Sequence, residues 1–110
     1  MEPVEQTALT QALDRMWTRF LPEMRQRVAI LEMAAAAFTA NTLTISQREA
    51  ASAAAHKLAG VLGTFGLTRG TELARELEIM YSRENGPDPV LGARLTASTA
   101  ELSALVESRN

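Results

Sequence analysis

His56 is the only histidine of this 110-residue chain, which contains no cysteine. An imidazole can serve as a proton carrier, a nucleophile or a metal ligand. Sites that need several histidines or any thiolate are excluded by composition, as are disulfides and iron–sulfur clusters. The chain also lacks a glycine-rich phosphate loop, so an enzyme with its own nucleotide pocket is the least favoured class. Any side-chain chemistry is therefore expected to centre on His56.

The segment around His56 has an apolar stripe whose members recur every three or four residues: Ala51, Ala55, Leu58, Leu62 and Phe65. This spacing predicts an amphipathic helix with the stripe facing the core. At about 100° per residue, His56 lies roughly 140° from the centre of the stripe. It is expected to point outward, which argues against a buried structural histidine.

The positions that share the face of His56 all carry small residues: Ser52, Ala53, Ala59, Gly60 and Gly63. A solvated helix face ordinarily carries long polar side chains, and each glycine inside a helix costs about 1 kcal/mol relative to alanine. We interpret the small residues as clearance that lets another protein approach the imidazole. They form the predicted docking surface, which on this interpretation is exposed.

A tight turn centred near Leu67 would join two antiparallel helices. Residues of the two helices then lie at the same height along the pair when their numbers sum to about 134. His56 is then level with Glu78, and Ala59 with Arg75. If both His56 and Glu78 face the outer groove, the carboxylate accepts a hydrogen bond from Nδ1–H and leaves Nε2 free as a nucleophile. Arg75 can balance the charge of an anionic group on Nε2. The alternative is that Glu78 and Arg75 are solvated surface charges.

The elements that must position these residues are predicted to be helices. Alanine and leucine are abundant, whereas aromatic residues make up only 5% of the chain. Such a composition favours helix over sheet. The predicted fold is all-α: a single domain over residues 1–110, built as an up-down antiparallel four-helix bundle because the connections are short. The N-terminal helix is predicted to be kinked or split near Pro22, since proline removes one backbone donor.

Helix boundaries follow from capping patterns. Thr44 with Gln47, or Ser46 with Glu49, offers a capping box for the second helix. Gly66 is a plausible left-handed C-terminal cap for the same helix. The first helix carries apolar residues at helical spacing: Leu9, Leu13, Met16 or Trp17, and Phe20.

Charge and hydropathy limit the partners. The formal net charge is −2 and the pI is about 5.4, which argues against nucleic-acid binding, since that requires a basic face. The longest apolar run, Met33 to Phe38, is far shorter than the roughly 20 residues that span a bilayer. No targeting signal is recognisable. We expect a cytoplasmic protein that binds neither membranes nor nucleic acid.

The segment His56–Gly66, HKLAGVLGTFG, resembles the signature of histidine phosphotransfer (HPt) domains. In that signature the histidine is followed by a hydrophobic residue two positions on and by glycines four, seven and ten positions on. The stretch Leu73–Glu78 is similar to the second helix of the family hairpin. The resemblance implies a four-helix bundle whose exposed histidine takes a phosphoryl group from an aspartyl phosphate on a receiver domain and passes it to another receiver.

The resemblance also assigns roles to residues of the site. It implies that His56 is the phospho-accepting residue, that Gly60 and Gly63 clear space for the receiver, and that Glu78 orients the imidazole, as in phosphotransfer domains of chemotaxis kinases. Many family members carry a lysine three residues after the histidine, where this chain has Ala59.

Lys57 and Arg75 are candidate substitutes for that missing lysine. No metal or cofactor is expected on this chain, and Mg²⁺ is expected on the partner receiver. The resemblance implies that the chain is a carrier without independent catalytic activity.

The leading hypothesis is therefore a phosphorelay intermediate whose partners are receiver domains and possibly a hybrid sensor kinase. The alternative is a non-catalytic helical interaction module in which His56 is incidental. A dimerising fragment of a sensor kinase is less favoured, because an acidic residue usually follows the histidine there and Lys57 follows it here. A monomer is expected, since a dimer that buried the face of His56 would hide the nucleophile.

Overall fold

The computed structural model describes residues 3–109, which form four α-helices and no strand. The helices are α1 (Pro3–Thr39), α2 (Ile45–Thr64), α3 (Thr68–Ser82) and α4 (Gly92–Ser108), and a single 3₁₀ turn (Pro89–Leu91) precedes α4. The predicted all-α class is confirmed. None of the described helices combines the length and the apolar character needed to cross a membrane.

The core runs along the bundle and takes one apolar face from each helix. Helix α1 packs against α2 and α4, and α3 packs against the same two helices. Burial of these faces supplies most of the stability of the helices, because helices in proteins are stabilised mainly by tertiary packing of an amphipathic face. The largest aliphatic core side chains are at most 1% exposed: Met24, Leu31, Leu58, Leu62, Leu73, Leu77, Leu95 and Leu102.

Helix α1 continues through Pro22, so of the predicted kink or split the split does not occur. A proline inside a helix removes one hydrogen bond and costs about 3 kcal/mol. Its neighbours Leu21 and Met24 are 6% and 0% exposed, and their burial against the bundle offsets that cost. A kink at Pro22 remains a prediction.

An aromatic cluster closes one end of the bundle. The Trp17 ring meets Phe65 edge-on, with the ring centroids 5.1 Å apart. The Arg109 guanidinium lies over Trp17, 5.3 Å from the ring centroid, and also forms an ion pair with Asp14 at 3.0 Å. Because Phe65 and Arg109 cap the ends of α2 and α4, the bundle ends near this level of α1.

The first turns of α1 extend past that end. At 1.5 Å per residue, the 37 residues of α1 are about 55 Å long, whereas the 20 residues of α2 reach about 30 Å. Leu9 and Met16 are 55% and 40% exposed, although their spacing placed them on the core face. Trp17, not Met16, is the buried member of that pair, at 2% exposure.

The ends of α2 are formed as the capping patterns predict. The Gln47 backbone N–H donates to the Thr44 hydroxyl at 3.0 Å, and the Thr44 N–H donates to the Gln47 side chain at 2.8 Å. Gly66 has a φ of +70°, and the following Leu67 N–H donates to the Leu62 carbonyl at 3.0 Å. This left-handed glycine ends α2 and turns the chain directly into α3.

Candidate functional site

His56 lies in the middle of α2 and points away from the core. Its side chain is 74% exposed, whereas Ala55 and Leu58 on the opposite side of the helix are fully buried. The outward orientation that the helical period predicts is therefore present in the structure. An exposed imidazole in a regular helix is open to a partner but has no enclosing pocket.

Glu78 of α3 contacts one edge of this imidazole. The Nδ1 atom of His56 lies 2.7 Å from Oε2 of Glu78. Because an ionised carboxylate can only accept, Nδ1 carries the hydrogen in this contact. In the neutral imidazole the lone pair is then on Nε2 of a side chain that is 74% exposed. The Glu78 side chain is 28% exposed, so it lies in the outer groove between α2 and α3 rather than in bulk water.

Two shallow grooves meet at His56 and Glu78. One, of about 570 Å³, runs toward the N-terminal half of α2, and Ser52, Ala53 and Lys57 contribute to its lining. The other, of about 320 Å³, runs toward the C-terminal half of α2 between Ala59, Gly60, Arg75 and Ile79. The imidazole thus lies on a ridge with a depression on either side.

The small residues of the predicted docking surface divide into exposed and covered positions. Ala53, Gly60 and Gly63 are exposed and Ser52 is half-buried. Ala59 is only 6% exposed, so its predicted place on the exposed face is wrong. Ala59 is a member of the buried core and contributes to the lining of the second groove.

Neither glycine of this face is required by the packing of the bundle. A Cβ atom added at Gly60 would meet nothing within 4 Å, and one added at Gly63 would meet only the Thr71 hydroxyl at 3.7 Å. Both glycines have ordinary helical backbone, because among the described glycines the positive φ values belong to Gly66 and Gly86. Open space above two helical glycines is consistent with clearance for a partner.

One cation lies on each side of the imidazole. Lys57 lines the first groove and Arg75 lines the second, and both side chains are exposed. Across residues 3–109, neither of them forms a hydrogen bond or ion pair. Both are available to an anionic group on Nε2.

Sequence reasoning missed Ile79, which lines the second groove beside His56. Its side chain is 65% exposed. The sequence does contain a sign of this residue. Ile79 directly follows Glu78 and is apolar, yet it lies outside the apolar stripe formed by Leu73, Leu77 and Met80. Ile79 therefore adds an exposed aliphatic surface to the groove beside His56.

Tyr81 lines the first groove. It is 1% exposed, and burial raises the pKa of its hydroxyl to about 12. The phenol therefore stays protonated at neutral pH. Within the described residues, no group of three or more acidic, histidine or cysteine side chains is placed to hold a metal ion.

Comparison with known proteins identifies the family. Protein RcaC from Microchaete diplosiphon is 42% identical over 66 residues, which are 60% of this chain and 10% of RcaC. The chain therefore corresponds to a small part of that much longer relative. No solved structure gives a significant match. The family model described as Hpt domain matches residues 15–108, so the match includes all of α2, α3 and α4 and most of α1. The resemblance seen in the His56–Gly66 segment is confirmed, and the chain belongs to the Hpt domain family.

Proposed function

We propose that this chain is a phosphorelay intermediate that carries a phosphoryl group on Nε2 of His56 between receiver domains. Membership in the Hpt family supports a role in two-component phosphotransfer with response-regulator receivers as partners. The observation that supports a role for Nε2 in particular is the 2.7 Å contact of Nδ1 with Glu78, because it leaves the lone pair of the neutral imidazole on Nε2.

The proposed transfer needs no proton movement. The Nε2 lone pair attacks the phosphorus of an aspartyl phosphate, the N–P bond forms, and the P–O bond breaks with its electron pair returning to the aspartate carboxylate. The imidazole becomes positively charged, and the Glu78 carboxylate beside Nδ1–H stabilises that charge. The reverse reaction delivers the group to the carboxylate of a second receiver.

The chain supplies a positioned nucleophile, and the receiver supplies the aspartate and the Mg²⁺ that neutralises the phosphoryl oxygens. Lys57 and Arg75 can contact those oxygens from either side, in place of the lysine that Ala59 replaces. Hpt domains are phosphotransfer carriers, and we assign this chain no catalytic activity of its own.

We also propose that the four helices alternate in direction. Two ion pairs join α3 to α4, Arg69–Glu101 and Glu76–Arg94, and residue numbers rise along α3 as they fall along α4. The Asp14–Arg109 pair likewise places the N-terminal part of α1 beside the end of α4. This path brings His56 and Glu78 to the same level of adjacent helices.

The proposal is tested by transfer of label. A receiver domain phosphorylated by radiolabelled acetyl phosphate in Mg²⁺ is freed of excess donor and mixed with the chain. We expect label on the chain that is lost in acid and stable in base, as for a phosphoramidate. Receivers that bind the chain but never label it would favour the interaction-module alternative.

Replacing Glu78 by alanine is expected to slow transfer about tenfold, which corresponds to about 1.4 kcal/mol in the barrier. The variant loses the acceptor that selects the tautomer and balances the imidazolium, but it keeps the nucleophile. Single-turnover rates of label transfer measure the effect. Glu72→Ala, on the exposed side of the same helix, is the matched control. A Glu78→Ala rate equal to that of this control would mean that Glu78 is only a surface charge.

Replacing Ile79 by aspartate is expected to weaken receiver binding about tenfold or more, because exposed apolar side chains at the centre of an interface carry much of its energy. Binding is measured by calorimetry with an unphosphorylated receiver. Ile45→Asp is a close control, since Ile45 is 68% exposed at the start of α2 and Ile79 is 65% exposed. Equal affinities for the two variants would remove Ile79 from the docking surface.

A further inference from the structure

Helix α1 carries a second feature that the histidine site does not use. Its large exposed apolar residues are Leu9, Met16, Ile30 and Met33, with exposures of 55%, 40%, 37% and 66%. They fall on one series with alternating steps of three and four residues, hereafter the α1 seam: Leu9, Ala12, Met16, Arg19, Glu23, Gln26, Ile30 and Met33. A period of 3.5 residues is the pattern of helices that pair along their length.

Within residues 3–109, no residue of the α1 seam forms a hydrogen bond or ion pair with another helix, and Glu23 pairs only with Arg27 of α1 itself, at 3.8 Å. Its members are exposed apart from the half-buried Ala12. A depression of about 330 Å³ lies on the seam between Ala12, Arg15, Met16 and Arg19. The ends of the seam are apolar and its centre is charged, so its chemistry changes along the helix.

The seams of two copies of the chain are complementary when the two α1 helices run antiparallel in one particular register. If residues of two copies face each other when their numbers sum to 42, Leu9 meets Met33 of the second copy, and Ala12 meets Ile30. Met16 faces Gln26 in the same way. At the centre Arg19 meets Glu23, and two-fold symmetry forms that opposite-charge pair twice.

Other arrangements lack this match. A parallel pair in register would place Arg19 against Arg19 and Glu23 against Glu23. An antiparallel pair shifted by one heptad, with a sum of 49, would place Arg19 against Ile30 and leave Glu23 against Gln26. Charges buried against like charges or apolar groups are costly. Only the register that sums to 42 pairs both the charges and the large apolar ends.

We propose that the α1 seam is a homodimer interface in which two copies of the chain pack α1 against α1 in antiparallel orientation. The expectation of a monomer rested on the need to keep His56 uncovered. The seam lies on α1 and contains neither His56 nor any residue of the predicted docking surface, so dimerisation through it is compatible with an open imidazole. This inference does not depend on the proposed phosphotransfer.

Sedimentation velocity over a concentration series tests the interface. We expect the wild type to dimerise and each of Arg19→Glu and Glu23→Arg to weaken the dimer about tenfold or more, since each substitution places like charges together twice. The double variant Arg19→Glu/Glu23→Arg restores the opposite pairs and should dimerise like the wild type. Glu32→Arg makes the same charge change at an exposed position of α1 outside the seam and should have no effect.

Orientation is tested separately by disulfide trapping, because the chain has no native cysteine. A mixture of Leu9→Cys and Met33→Cys chains should form a mixed disulfide faster than either variant links to itself. Circular dichroism establishes that all variants are folded. A wild type that stays monomeric at every concentration, or a double variant that fails to recover, would overturn the proposal.

Discussion

We expect His56→Gln to abolish phosphorylation of the chain by a phosphorylated receiver. The glutamine amide nitrogen has no lone pair available for attack, so no N–P bond can form. The side chain is 74% exposed, so the substitution removes no core contact and should leave thermal unfolding unchanged. The measurement is the acid-labile label on the chain after mixing with the labelled receiver, and the expected signal is background.

Two controls make this result specific. Ser46→Gln introduces the same side chain at an exposed position of α2 away from the site and should accept label as the wild type does. Receiver affinity of His56→Gln should stay close to that of the wild type, since the docking surface is intact. Label that persists on His56→Gln would show that another residue is phosphorylated and would remove the proposed function.

The second large effect is expected from filling the space above the helical glycines. Gly60→Leu or Gly63→Leu places a branched side chain where the receiver must approach, and we expect transfer to fall about a hundredfold, because small displacements of reacting groups are costly. The fold should not suffer. Added Cβ atoms meet nothing closer than 3.7 Å, and leucine is favoured over glycine in a helix by about 1 kcal/mol.

The measurement pairs the transfer rate with the midpoint of thermal unfolding, which should be unchanged or raised. Gly60→Ala and Gly63→Ala add one methyl group each and should retain most of the transfer rate. Phosphoramidate, a small donor that needs no docking, should still label His56 in the leucine variants. Wild-type rates in both leucine variants would refute the docking role of this face.

Much of the candidate site was predictable because it depends on local repeats. The helical period sets the direction of His56 relative to the apolar stripe, whatever that stripe packs against. The equal level of His56 and Glu78 along their helices followed from counting outward from the turn near Leu67, since the rise per residue is the same in both helices. The capping box of Thr44 and Gln47 is equally local.

The errors arose where a neighbouring element decides burial. Ala59 shares the outer half of the helix with Gly60, but in the folded bundle it is only 6% exposed and lies at the groove between α2 and α3. Pro22 signals a break in isolation, yet the packing of Leu21 and Met24 keeps α1 continuous. Leu9 has core-like spacing and remains exposed, because α2 and α4 end before they reach it.

The sequence by itself determined the helical class, the outward histidine and the chemistry available to it, because composition and period act within one helix at a time. Only the tertiary structure decided that Glu78 is within hydrogen-bond distance of Nδ1, that Ile79 borders the site, and that the seam of α1 is left uncovered. These properties depend on the distances between helices and on where each helix ends relative to its neighbours. Such distances follow from the packing of whole side-chain faces and from no single segment of the chain.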